Sequence, residues 1–293
     1  KEYRRQRQMC IRDSMGTPVE AYRSPDGSVN TEHSRVNIAA NARPNNSVGV
    51  NSIVVGYQNT TDDNEGTTAL GANNQAYGNS GLAVGNENYA NGGAATAIGA
   101  GNEARAAATV ALGNKNNANA TSAVAVGNYN NQNYTKGSNT TTPKQAGNYS
   151  TAVGSYNAAL GDNSVSVGSM NTSHVADTVT IGQNNEAKTM GGISIGKNNL
   201  TDSTNGGTNF GRTRDENSQI AIGRDNIATH LDTIAIGRET KATGSGATVI
   251  GARAEASGNN SIAIGQSGEN SPKVIASGVN AIAIGLSLIH ISE

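Results

Sequence analysis

Asn260-Ser261-Ile262-Ala263-Ile264-Gly265 decides the fold, because the chain keeps returning to this phrase. Its ending, apolar-small-apolar-Gly, recurs at Gly56, Gly71, Gly85, Gly99, Gly113, Gly127, Gly154, Gly168, Gly182, Gly196, Gly223, Gly237, Gly251, Gly265 and Gly285. Ten of the fourteen intervals between these glycines are 14 residues, and the others are 15, 27, 27 and 20, each one period with an insertion. A fixed period of this kind marks a solenoid or array. The chain is therefore a repeat protein with a 14-residue unit.

The rest of the period is as regular. With the phrase glycine as zero, Asn stands at +3 eleven times, among them Asn88, Asn102, Asn116 and Asn185. Ala occupies +5 in nine units, and a second Gly falls at +7 in Gly78, Gly92, Gly161, Gly244 and Gly258. The phrase alternates with period two, as in Ile234-Ala235-Ile236, which is a strand with one apolar face. Gly at zero (Gly85, Gly99, Gly113, Gly237, Gly251 and Gly265 are clear cases) and Asn at +3 tolerate left-handed backbone, so they are expected to bracket a tight turn. Small residues near +5 and Gly at +7 suit a second short strand and a second turn. One unit is thus one flattened coil of two strands and two corners. Stacked in register, the +3 asparagines would also form an amide ladder.

Position −2, between the aliphatics, stays small: Ala69, Ala83, Ala97, Ala111, Ala125, Ala152, Ser166, Thr180, Ser194, Ala221, Ala235, Ala263 and Ala283, with Val249 as a large exception. The expectation is that the two aliphatics are buried and that this small-residue face lies outside. Two aliphatics and an alanine make a thin core for 14 ordered residues. A smooth, uncharged second face then implies lateral packing against identical columns, and so an oligomer.

The phrases at 260–265, 51–56 (Asn-Ser-Ile-Val-Val-Gly) and 163–168 (Asn-Ser-Val-Ser-Val-Gly), with Gly237-x4-Ala242-x-Gly244 leading to Val249-Ile250-Gly251, resemble the head repeat of the YadA-type trimeric autotransporter adhesins. The resemblance spans roughly residues 47–285. It implies an all-β, left-handed parallel β-roll with 14-residue coils, packed as a homotrimer and displayed at the cell surface outside the outer membrane. It implies adhesion to host extracellular-matrix proteins such as collagen. Exposed serines of the phrase, Ser52, Ser164, Ser218 and Ser261, are then candidate contacts. A structural rod or spacer, such as part of a phage tail fibre, is the alternative reading.

Composition agrees with a repeat. Gly is 37 of 293 residues, aromatics are 3%, Trp is absent and Phe210 is the single Phe, so no conventional globular core is expected. A net charge of −1 leaves no electrostatic footprint for nucleic acid, and no run approaches a membrane span. Residues 1–14, with five Lys/Arg and the single cysteine, Cys10, depart from the repeat, as do residues 286–293. Both resemble translated sequencing-adapter sequence and are set apart from the fold. Residues 15–46, with Pro18, Pro25 and Pro44, read as an irregular lead-in. Loop insertions are expected near 129–149, 200–217 and 271–276, and loops on a rigid scaffold often carry binding residues. Tyr134, Phe210 and Arg212 are the ligand-contact candidates there. No nucleophile elbow, metal-ligand spacing or dinucleotide fingerprint occurs, so no enzyme, metal or cofactor is expected. Asp62, Asp63 and Glu65 form an acidic turn in the 15-residue interval, read as a solvated loop.

Overall fold

The structure is a computed structural model that describes residues 21–23, 29–34, 36–39, 51–62, 64–133, 142–143, 145–202, 218–268 and 273–286. Among them every regular element is a strand. The chain forms two compact units, Lys1–Gln145 and Ala146–Glu293.

In the first unit the phrase strands Ile53–Tyr57, Thr68–Ala72, Leu82–Asn86, Thr96–Ala100, Val110–Asn114 and Val124–Asn128 stack side by side in one sheet. Pairing is parallel and always one coil out, so that Ala83 meets Ala97, Ala97 meets Ala111 and Ala111 meets Ala125. Five two-residue strands, Thr60–Thr61, Gln75–Ala76, Tyr89–Ala90, Glu103–Ala104 and Asn117–Ala118, form the opposite sheet. The second unit repeats this plan, with five-residue strands from Thr151–Ser155 to Ile282–Leu286 and short strands from Ala158–Ala159 to Ile275–Ala276. Ile236, Ile250 and Ile264 stand in a single file, as a coil of constant period requires.

The two faces of the phrase strand are the reverse of the sequence expectation. The small residues at −2 are the core: Ala83, Ala97, Ala111, Ala221, Ala235 and Ala263 are fully buried, with the +5 alanines Ala90, Ala104, Ala118, Ala228 and Ala242 opposite them. The aliphatics on either side point outward, with Ile98, Ile181 and Ile250 still 37%, 39% and 40% exposed. Two residues of short strand and two tight corners hold the sheets too close for Leu or Ile to fit between them. The largest side chains held at −2 are Val54, Val249 and the similarly sized Thr180, all fully buried.

The asparagines at +3 do not occupy the left-handed corner. That conformation falls at +2, one residue earlier, at Gln58, Asn73, Glu87, Lys115, Tyr156, Met170, Asn184, Asp225, Glu239 and Arg253, and again five residues before the glycine, as at Ser80, Asn163 and Asp232. The +3 side chains turn inward as a buried ladder. Asn102 Nδ2 donates to Asn88 Oδ1 at 3.0 Å, to Ile98 O at 3.0 Å and to Gly113 O at 2.7 Å, while its Oδ1 accepts from the backbone N–H and Nδ2 of Asn116, both at 3.0 Å. One ladder climbs from Asn59 to Asn130 in the first unit. A second runs from Asn157 to Asn226, where Thr240 Oγ1 takes the next rung at 2.6 Å and Ala254 ends it. The phrase glycine is required by closeness as well as φ: at Gly99, with φ +124, a Cβ would lie 2.0 Å from Gly113 O.

Three boundaries shift. The lead-in contains strands: Ala21–Arg23 pairs antiparallel with Val29–Ser34, and Val36–Ala39 pairs parallel with the strand starting at Ile53. The first insertion, near 129–149, contains an antiparallel pair, Gln132–Asn133 with Thr142–Pro143. The other two give up residues to the coils, because Leu200–Asp202 and Ile275–Ala276 are short strands of the regular stack.

Candidate functional site

Three outward surfaces result from this plan. The first is the phrase-strand face, where Leu82, Val84, Val110, Leu112, Val124 and Val126 of the first unit stand half-buried, as do Ile193, Ile195, Ile220, Ile222, Ile234 and Ile236 of the second. Contiguous apolar faces of this kind are a common feature of protein interaction surfaces.

The second is the short-strand face, which is polar and aromatic. In the first unit Tyr77 meets Tyr89 edge-on, ring centres 5.7 Å apart, and the Arg105 guanidinium lies over the Tyr89 ring at 4.7 Å. Arg105 Nε also donates to Glu103 at 2.9 Å, which raises the Arg105 pKa against the opposing effect of burial. Burial, then the neighbouring Tyr89 and Asp62, pushes the Tyr77 hydroxyl above its ordinary range. In the second unit His174 Nε2 is hydrogen-bonded to Glu186 Oε1 at 2.8 Å, and Lys188 Nζ reaches the same carboxylate at 3.2 Å and Asp202 at 4.0 Å. The His174 bond holds the Glu186 carboxyl below its usual value, opposed by partial burial and helped by Lys188.

The third is the corner after the glycine. Arg253 Nε donates to Glu239 at 2.8 Å and Arg224 lies 3.7 Å from the same carboxylate. Asn184 donates to Asn198 at 3.0 Å, and Asn198 to Asp225 at 2.8 Å. Beside them a shallow recess of about 330 Å³ is lined by Met170, Thr172, Asn184, Glu186, Asn198 and Leu200.

The phrase serines are not on any of these surfaces, with one exception. Ser52, Ser164 and Ser261 are fully buried, which removes them as ligand contacts. Position −4 shares the inward side with −2, and in some coils its hydroxyl closes the second corner: Ser261 Oγ donates to Gly258 O at 2.6 Å, as Thr109 does to Ala106 O at 2.7 Å, whereas the buried Ser164 Oγ makes no such bond. Ser218 is exposed. Tyr134, Phe210 and Arg212 lie outside the described residues. Of the acidic turn, Asp62 accepts from the backbone N–H groups of Asn64 at 3.3 Å and Gly78 at 3.1 Å and from the Asn64 side chain, and Asp63 lies outside the described residues. Among the described residues no group of three or more His, Cys, Asp or Glu is gathered for a metal. The polar positions that do face outward, +4 and +6, carry Tyr77, Tyr89, Glu103, Arg105, His174, Glu186 and Lys188. The signal for them was their chemical variety in a period otherwise filled by Gly, Asn and Ala.

The family model described as YadA head domain repeat (2 copies) matches residues 47–74, 63–88, 104–130, 146–169, 220–240 and 242–271. No curated protein matches the sequence. Matched segments lie in both units and coincide with the stacked coils, and the chain belongs with the YadA-like heads of trimeric autotransporter adhesins.

Proposed function

We propose that the chain acts as a homotrimeric, cell-surface adhesin head that binds extracellular-matrix proteins such as collagen through many weak, repeated contacts. The observation that carries the assembly is the outward aliphatic face, whose Ile98, Ile181 and Ile250 keep 37–40% of their surface on the single chain. A face of packed Ile, Val and Leu rows is too apolar to be left in water, and two further copies would cover it. The polar short-strand face and the glycine corner would then remain outside for ligand. The repeated coil supplies similar sites at short intervals, so modest affinities combine by avidity. Display at the outer membrane as an autotransporter passenger follows from the family.

The test has two arms. Light scattering coupled to size exclusion is expected to give three times the chain mass. Immobilised collagen, fibronectin and laminin are then compared with a scrambled-repeat control, and binding to none above that control rejects the matrix reading. If adhesion runs through the short-strand face, Arg105→Ala and Glu186→Ala weaken it without altering the mass.

A further inference from the structure

The phrase strand Ile234–Arg238 carries opposite charges near its two ends. Asp232 sits exposed at the corner leading into it, with φ 53. Arg238 ends the strand on the same outward side as Ile234 and Ile236, since residues two apart share a face. Six residues of near-extended chain, roughly 20 Å, separate the two, so they cannot meet within one coil. Among the described residues neither makes an ion pair. The acid next to Arg238, Glu239, has its carboxylate bonded by Arg253 at 2.8 Å and approached by Arg224 at 3.7 Å, and it feels the Arg238 charge without forming an ion pair with it.

We infer that Arg238 of one copy pairs with Asp232 of the next, an interaction that rests on the trimer proposed above. A cyclic assembly about an axis along the column rotates its copies without shifting them, so coils of equal rank face one another. With the aliphatic faces turned to the axis, the trailing edge of one face abuts the leading edge of its neighbour. This brings the residue after each phrase glycine to the neighbour's residue five before it. Three cations follow phrase glycines on successive strands, Lys197, Arg224 and Arg238, in register. Their counterparts are Gly191, Ser218 and Asp232, so Arg238 is the cation of this row that meets an acid. Such a rim pair favours the correct encounter and adds modestly to affinity.

The experiment is a charge swap, read as the protein concentration at which the trimer half-dissociates in analytical ultracentrifugation, with circular dichroism confirming that each variant is folded. Arg238→Asp and Asp232→Arg are each expected to raise that concentration at least about fivefold, the size of one ion pair. The double variant Asp232→Arg with Arg238→Asp returns it to near the starting value, while Lys197→Asp, on the same row but facing Gly191, shifts it far less. A wild-type trimer whose double swap is no better than the singles, or in which Lys197→Asp matches Arg238→Asp, overturns the pair and leaves the trimer standing. A wild-type chain that runs as a monomer overturns both.

Discussion

Asn102 makes five side-chain hydrogen bonds to the coils above and below and to its own strand, all away from water. Removing them leaves buried carbonyl and amide groups without partners, and each such group costs more than the net worth of the bond it lost. Asn102→Ala is therefore expected to destabilise the first unit by about 3–5 kcal/mol in urea unfolding. Asn102→Thr is expected to cost less, because Thr240 already serves as a rung, donating to Asn226 at 2.6 Å. Equal losses for the two variants would show that a hydroxyl cannot serve as a rung at this position. Glu186 supports a pH prediction of known sign. Its carboxyl is held below the ordinary value by His174 first. A depressed carboxylate stabilises the fold fully above its unfolded pKa, and that contribution is lost as pH falls through the lower folded value. Glu186→Gln should thus lower Tm slightly at neutral pH, with the difference vanishing in the acid range below the usual carboxylate pKa. The side chain is 39% exposed, so screening keeps the effect under about 1 kcal/mol and added salt should shrink it.

At the scale of the coil, sheet spacing decides what each position tolerates. Ala111 is fully buried, on a strand packed against the short strands that carry the equally buried Ala104 and Ala118. Ala111→Leu is expected to cost about 3 kcal/mol or more by overpacking, whereas Leu112→Ala, one residue on and half outside, is expected to cost about 1 kcal/mol in the isolated chain. The ordering of these two denaturation midpoints tests the core directly, and the reverse ordering would restore the sequence reading of the faces. That reading had period, strand and stack right, since Gly at zero and alternation around Ala235 are local demands of the backbone. It put the wrong side of the strand inside because hydrophobicity alone favours burying Ile234 and Ile236. The distance between sheets, which excludes them, is set by the length of the connecting corners. The same inversion hid Ser52, Ser164 and Ser261, whose inward side follows from sharing parity with the −2 alanines. The left-handed corner was misplaced by one residue because its occupants, such as Glu87, Lys115 and Met170, have no composition signal. The outward chemistry of Tyr89, Arg105 and Glu186 depends on contacts between coils 14 residues apart, which no single unit displays.

For the whole molecule, a small inward core and a large outward aliphatic face put folding and the proposed assembly on opposite sides of the same strand. Substitutions on the outward side should therefore separate the two processes. Ile222 and Ile236 lie on adjacent strands in register, half-buried on the single chain, and are not part of the alanine core. A carboxylate at either place stays in water on a lone chain but would be desolvated without a partner at an interface, at a cost of several kcal/mol per site. The double variant Ile222→Asp with Ile236→Asp is expected to keep the strand-type circular dichroism of the coil while its mass by light scattering falls to that of one chain. Binding to an immobilised matrix protein should fall with it by about a hundredfold, since avidity over three copies is lost even though every short-strand face is intact. A variant that remains trimeric would place the interface on another surface and leave the exposed Ile98, Ile181 and Ile250 to face a different partner. A variant that unfolds altogether would mean that the column depends on its neighbours to stand. In that case the milder Ile236→Ser distinguishes the two by showing whether mass or strand content is lost first as the protein is diluted.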